Sequence, residues 1–163
     1  MSQEIERKFL VKEIPPDLTC KTIRQGYLQS EKTRAVRIRT IHESKSKNAF
    51  LTIKGASNKE GTSRYEFEIE IPFSDATHLL TLCDQPLIEK TRYIYKHDGL
   101  IWEIDEFHGV NDGLVVAEVE LESEDQKINR PDFVKEEVTG QKKYYNLMLI
   151  KNPYSVWGKE TLD

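Results

Sequence analysis

The sequence predicts an α+β, mainly β chain: an eight-stranded antiparallel closed β-barrel with helices packed outside. Three observations point there. Eight strand segments are read, and seven of them interleave charged with apolar residues at the two-residue period of a strand. Their polar positions are charged, and acidic rows are sorted from basic ones. Eight strands of this length are enough to close a barrel and remove sheet edges.

The first strand is expected near 3–11, where Glu4, Glu6 and Lys8 share one side and Ile5 and Phe9 the other. Strands near 23–30, 34–42 and 48–54 follow, with Arg37 and Arg39 interleaved with Val36 and Ile38, and Lys54 closing Phe50-Leu51-Thr52-Ile53. Gly55 to Gly61 reads as a turn. Near 63–72, Arg64, Glu66, Glu68 and Glu70 oppose Tyr65, Phe67, Ile69 and Ile71. A helix is expected from Ser74 as N-cap, with Leu79, Leu80, Leu82 and Cys83 on its apolar side, ending before Pro86. Strands near 87–97, 100–107 and 114–122 carry Lys90 and Arg92, Glu103 and Asp105, and Glu118, Glu120 and Glu122. Phe107 to Gly113 is a turn between the last two of these. Pro131 to Val138 reads as a short helix stopped by Gly140. Tyr144 to Ile150 reads as a last helix before Pro153, with Tyr144, Tyr145, Leu147 and Met148 in its core.

Sorted charge is poorly explained by a solvated face. Exposed ion pairs are worth only about 0 to 1 kcal/mol, and like charges side by side repel. Carboxylates grouped apart from lysines and arginines instead suit a polyanion that brings its own metal ions, carboxylates taking metal and cations taking phosphate. Closure of the barrel puts these rows inside. So many ionised groups require a wet interior wide enough for a ligand, because burying even a paired ion costs several kcal/mol.

At 163 residues the chain reads as a single domain, 1–163, with a core over 1–152 and a C-terminal tail over 153–163. A chain of this size buries about 70% of its unfolded surface. Charged residues make up 32% while the net charge is only −4, which argues against a general nucleic-acid binder. Cys20 and Cys83 are the only cysteines, so no disulfide framework is implied, and a reducing, cytoplasmic setting is expected. No signal peptide is read before Glu4, and no apolar run approaches the roughly 20 residues that span a bilayer. His42, His78, His97 and His108 lack zinc-ligand spacing, and no Walker-type phosphate loop appears.

Glu4-Ile5-Glu6-Arg7-Lys8 matches the Glu-x-Glu-x-Lys signature of the CYTH domain, or triphosphate tunnel metalloenzyme, superfamily. Further segments resemble its small bacterial members in order: Arg24-Gln25-Gly26-Tyr27-Leu28, Val36-Arg37-Ile38-Arg39, Thr52-Ile53-Lys54-Gly55, Arg64-Tyr65-Glu66-Phe67-Glu68, Glu89-Lys90-Thr91-Arg92-Tyr93, Trp102-Glu103-Ile104-Asp105, Ala117-Glu118-Val119-Glu120-Leu121 and Glu137-Val138-Thr139-Gly140. The resemblance implies a tunnel that binds a small-molecule triphosphate with Mg²⁺ or Mn²⁺, two ions in the substrate complex. It implies Lys8, Arg37, Arg39, Lys54, Arg64, Lys90 and Arg92 on the triphosphate and Glu4, Glu6, Glu118 and Glu120 on metal. Glu66, Glu68, Asp105 and Glu122 stand as secondary ligands or ion-pair partners, and Glu70 and Glu103 as solvated residues at a tunnel mouth. Glu6 or Glu120 would accept the proton of the attacking water, and Tyr27 with Lys90 forms a second catalytic candidate pair.

Among the activities of such proteins, hydrolysis of inorganic triphosphate to diphosphate and phosphate is the first expectation. A class IV-type adenylyl cyclase, a thiamine or nucleoside triphosphatase, and a non-enzymatic polyphosphate-binding module remain alternatives, since fold alone does not choose among them. Neither a nucleic-acid nor a membrane partner is expected. The resemblance admits a homodimer.

Overall fold

A computed structural model describes residues 5–31, 33–57 and 64–160. In chain order the strands are β1 (Ile5–Val11), β2 (Thr19–Glu31), β3 (Arg34–His42), β4 (Lys47–Ser57), β5 (Arg64–Glu70), β6 (Ile88–His97), β7 (Leu100–Phe107), β8 (Val115–Leu121) and β9 (Val134–Glu137). The helices are α1 (Phe73–Leu80), α2 (Asn146–Lys151) and α3 (Trp157–Glu160), with short 3-10 turns at Gly109–Asn111, Lys142–Tyr144 and Tyr154–Val156. The architecture is the mainly β, antiparallel one that the alternation predicts. Eight strands fall close to their expected positions, and a ninth is added.

Two compact units divide the chain. The first, Lys21–Glu89, orders its strands β5-β4-β3-β2. Directly opposed residues on antiparallel strands share a face, so the registers Gln25↔Arg39, Tyr27↔Arg37, Arg37↔Thr52, Thr52↔Glu68 and Lys54↔Glu66 assemble one polar side. On the other side Ile38 and Ala49 pack with Ala76 and Leu80 of α1 and with Cys83, all nearly inaccessible. Burying side chains of this size contributes about 1.5–3 kcal/mol for each large one. Gly26 allows the close approach: a Cβ there would lie 2.6 Å from Leu87 Cδ2 and 2.8 Å from Cys83 Cβ.

The second unit, described over 5–20 and 90–160, orders its strands β6-β7-β8-β1-β9, all antiparallel where paired. Phe9, Val11, Trp102, Ile104, Ala117, Val119, Leu121 and Phe133 form its core on one face. Asp98 and Gly99, both at positive φ, make the two-residue hairpin between the paired His97 and Leu100. Loop residues Ile14, Leu18 and Ile128 pack on this core, so here loops do the covering that the sequence assigned to helices.

Several local expectations are corrected. Among the described residues the hydrogen-bonded strand order ends at β5 and β9, without the β5–β9 pairing that a closed barrel would add. Pro131 to Val138 is not helical: Val134 pairs with Val11 and Glu137 with Phe9, and Phe133 and Val138 are buried beside them. Partnership with β1 overrides the helix-like Pro and Gly punctuation. The helix expected at Ser74 starts one residue earlier, after Pro72, with no side-chain cap. Residues 55–57 belong to β4 rather than to a turn, and the rest of that expected turn, 58–61, lies outside the described residues. The last expected helix begins at Asn146, preceded by the 3-10 turn Lys142–Tyr144. Beyond Pro153, Trp157 packs against Tyr144 and Tyr154 at ring separations of 5.2 and 5.0 Å.

Candidate active site

The polar side of the first unit is built on strands β2 to β5. Arg37 Nη2 donates to Thr52 Oγ1 at 3.3 Å, and Thr52 Oγ1 in turn donates to Glu68 Oε2 at 3.0 Å. Glu68 itself stands 3.9 Å from Arg37 and is 44% exposed, too far and too wet to neutralise it strongly. Arg37 Nε is buried with no hydrogen-bond partner among the described residues. Arg39 Nε donates to the buried Gln25 Oε1 at 2.8 Å. Tyr27 faces Arg37 across the ladder, and Lys54 faces Glu66. Arg64 opens β5, with its side chain outside the described residues, and Glu66 is exposed.

In the second unit the polar side is organised by carboxylates. Asp105 is buried on β7 and takes Lys90 Nζ at 2.8 Å and Arg92 Nε and Nη2 at 2.7 and 2.9 Å. Burial pushes the Asp105 carboxyl up, but the charges and hydrogen bonds of Lys90 and Arg92 outweigh it and hold the group at about 2. Burial lowers and Asp105 raises the Arg92 guanidinium, with a net rise above its ordinary value. Lys90, itself 1% exposed, also donates to Asn146 Oδ1 at 3.1 Å from the start of α2. Glu103, expected to be solvated, is 38% exposed and accepts from Arg92 Nη1 at 3.2 Å.

One row further, Lys8 Nζ lies 3.3 Å from Glu118 Oε1, donates to the Tyr144 carbonyl at 3.3 Å and sits over the Tyr145 ring at 5.4 Å. Tyr145, 43% exposed, therefore belongs to this face and not to a helix core. Glu6 pairs in register with Glu120 and is hydrogen-bonded to Glu118. Burial raises the Glu118 carboxyl, while the Glu6 hydrogen bond and Lys8 lower it further, leaving it below the ordinary range. Glu4 lies outside the described residues, and Glu122 falls in the turn beyond β8.

The donor chemistry fits a hard divalent ion. Among the described residues no three acidic, His or Cys side chains gather into a full metal cage. Magnesium characteristically uses one or two carboxylates plus substrate phosphates, so Glu6, Glu118 and Glu120 are adequate protein donors. Gln25, Thr52 and Asn146 were missed by sequence reasoning. The first two lie in strand register with Arg39 and Arg37, so parity with charged neighbours would have found them; Asn146 carries no local signal.

The first unit carries a basic row set by neutral side chains and the second a carboxylate row suited to hard cations, the donor types that metal-assisted phosphate chemistry uses. The CYTH domain model matches residues 2–150, and the chain belongs to the CYTH domain family. It is 43% identical over 157 residues to an inorganic triphosphatase of Acetivibrio thermocellus, covering 94% of this chain and 97% of the relative. Identity to an inorganic triphosphatase of Nitrosomonas europaea is 38% over 150 residues, covering 90% and 95%. The crystal structure of the inorganic triphosphatase NE1496 superposes with a TM-score of 0.71 at 36% identity, covering 92% of this chain and 95% of that one. Triphosphatases of this family depend on metal ions. Among the described residues, no helix is long and apolar enough to cross a membrane.

Proposed function

We propose that this protein is a metal-dependent inorganic triphosphatase, hydrolysing tripolyphosphate to diphosphate and phosphate. The observation that carries the reading is the 43% identity, along nearly the full length of both chains, to an inorganic triphosphatase. The orphaned, buried Arg37 Nε supports it independently, because a buried donor without a partner is costly unless a ligand supplies one.

Phosphoanhydride hydrolysis needs charge neutralisation, an in-line water and a stabilised leaving group. Lys8, Arg37, Arg39 and Lys54 bind phosphate oxygens, with Arg64, Lys90 and Arg92 contributing further positive charge. Glu4, Glu6, Glu118 and Glu120 would hold Mg²⁺ or Mn²⁺, two ions in the substrate complex, and the bound metal supplies charge neutralisation and a more acidic water. Glu6 or Glu120 would accept the proton of the attacking water. Tyr27, opposite Arg37, orients phosphate through its hydroxyl. The free thiols Cys20 and Cys83 support a reducing, cytoplasmic setting.

The test is incubation with tripolyphosphate, ATP and thiamine triphosphate separately, under Mg²⁺, Mn²⁺ or EDTA, with product identification. Phosphate and diphosphate from tripolyphosphate, abolished by EDTA and restored by either ion, are expected. Cyclic AMP from ATP would make it a cyclase. Tight tripolyphosphate binding without phosphate release under any divalent ion would make it a binding module.

A further inference from the structure

Edge strand β9 and the segment that follows it hold the main chain of Lys8 from the side away from β8. The Lys8 N–H donates to Thr139 Oγ1 at 2.9 Å, and the Val138 N–H donates to the Lys8 carbonyl at 2.8 Å. With both backbone groups spent there, Lys8 and Glu118 form a non-hydrogen-bonded pair of the β1–β8 ladder, the arrangement that brings facing side chains closest. That accounts for the 3.3 Å between Lys8 Nζ and Glu118 Oε1.

The Thr139 hydroxyl has one proton to give and lone pairs to receive with. Its proton goes to Glu137 Oε2 at 2.6 Å, which turns a lone pair toward the Lys8 N–H; the competing donation to the Lys8 carbonyl is long, at 3.4 Å. Glu137 is fixed in turn by a bidentate pair with Arg7, at 2.9 and 2.7 Å, and Arg130 stands 3.7 Å away. The Arg7 hydrogen bonds, against a smaller opposing effect of burial, hold the Glu137 carboxyl at about 2, so it remains an acceptor at neutral pH. Arg7 lies on the opposite side of β1 from Glu6 and Lys8, beside Phe9.

We propose that Arg7, Glu137 and Thr139 are positioning residues for triphosphate hydrolysis: a relay across the back of β1 that fixes the Lys8 main chain and so aims its ammonium at a phosphate. This inference rests on the triphosphatase reading. Misplacement by an ångström at a binding group is costly, and because Lys8 meets substrate in the ground state as well as the transition state, the loss falls on KM.

The experiment compares wild type, Thr139→Val, Thr139→Ser and Glu137→Gln in steady-state hydrolysis of tripolyphosphate, alongside Lys8 amide hydrogen exchange by NMR and urea unfolding. Thr139→Val is expected to raise KM about tenfold with kcat changed by less than about twofold, Thr139→Ser to restore KM, and Glu137→Gln to give a smaller rise in the same direction. Lys8 exchange should speed up in Thr139→Val and return in Thr139→Ser. A merely structural role would instead lower apparent kcat with the folded fraction and leave KM alone. Wild-type KM and wild-type Lys8 exchange in Thr139→Val overturn the relay. If wild type turns over no tripolyphosphate, the triphosphatase reading fails on its own, and the Lys8 exchange comparison alone then decides the relay.

Discussion

Arg37 and Arg39 in the first unit donate to a hydroxyl and an amide, whereas Lys90 and Arg92 in the second donate to carboxylates. A neutral partner orients a guanidinium without cancelling its charge. A buried carboxylate orients a cation and neutralises it, and it becomes indispensable because removing one member strands the others in a poorly solvated place. The two rows, indistinguishable as alternating basic residues in the sequence, thus divide their work. Arg37 keeps positive charge available to an anion, while Lys90 and Arg92 use much of theirs to hold the fold.

The largest test of that division is Asp105→Asn, which removes the carboxylate that Lys90 and Arg92 share. Unfolding free energy in urea should fall by about 3–5 kcal/mol, as expected when a buried pair loses one partner; a near-wild-type midpoint would break the comparison. Arg37→Ala should do the reverse, leaving the urea midpoint close to wild type. Its kcat/KM for tripolyphosphate should drop by about 10- to 100-fold, the scale of a charge-assisted hydrogen bond. Lysine at this position should recover only part of that, since it lacks the planar fork.

Acid provides the third test. The Asp105 carboxyl is depressed from an ordinary 3.8 to about 2. A depressed acid contributes stability that is fully present above the unfolded value and is lost as pH falls through the folded one. Wild type should therefore lose on the order of 2 kcal/mol between about pH 4 and pH 2 from this group, and Asp105→Asn should lack that component, measured by urea unfolding at stepped pH. The smallest effect sharpens the other half. Thr52→Val should cost about 1 kcal/mol in kcat/KM, one neutral hydrogen bond, without a comparable loss of stability.

Alternation made most of the sheet legible, because burial on one face of a strand writes itself into every second residue. Strands β3, β6 and β7 show it most plainly, with Arg37 and Arg39, Lys90 and Arg92, and Glu103 and Asp105 on the polar side. Four-residue β9 was illegible, since its identity comes from pairing with β1, more than a hundred residues earlier, while Pro131 and Gly140 bracket it like a helix. Strand parity also says which face a residue shares and nothing about its partner. Asp105 stood in the sequence as either a secondary ligand or an ion-pair partner of the basic residues, and the register Arg92↔Asp105, with Lys90 beside it, places it in an ion-pair hub. Asn146 and Tyr145 meet Lys90 and Lys8 through contacts made far along the chain, which no local pattern encodes.

Gly26 carries a consequence for inheritance. With Leu87 and Cys83 already inside the space that a methyl group would need, position 26 admits almost no coding change, although Gln25 and Tyr27 on either side point the other way and can be exchanged at the cost of their own contacts. A lineage can retune the basic row residue by residue, but only while this one codon stays still and lets the segment after α1 lie flat against β2.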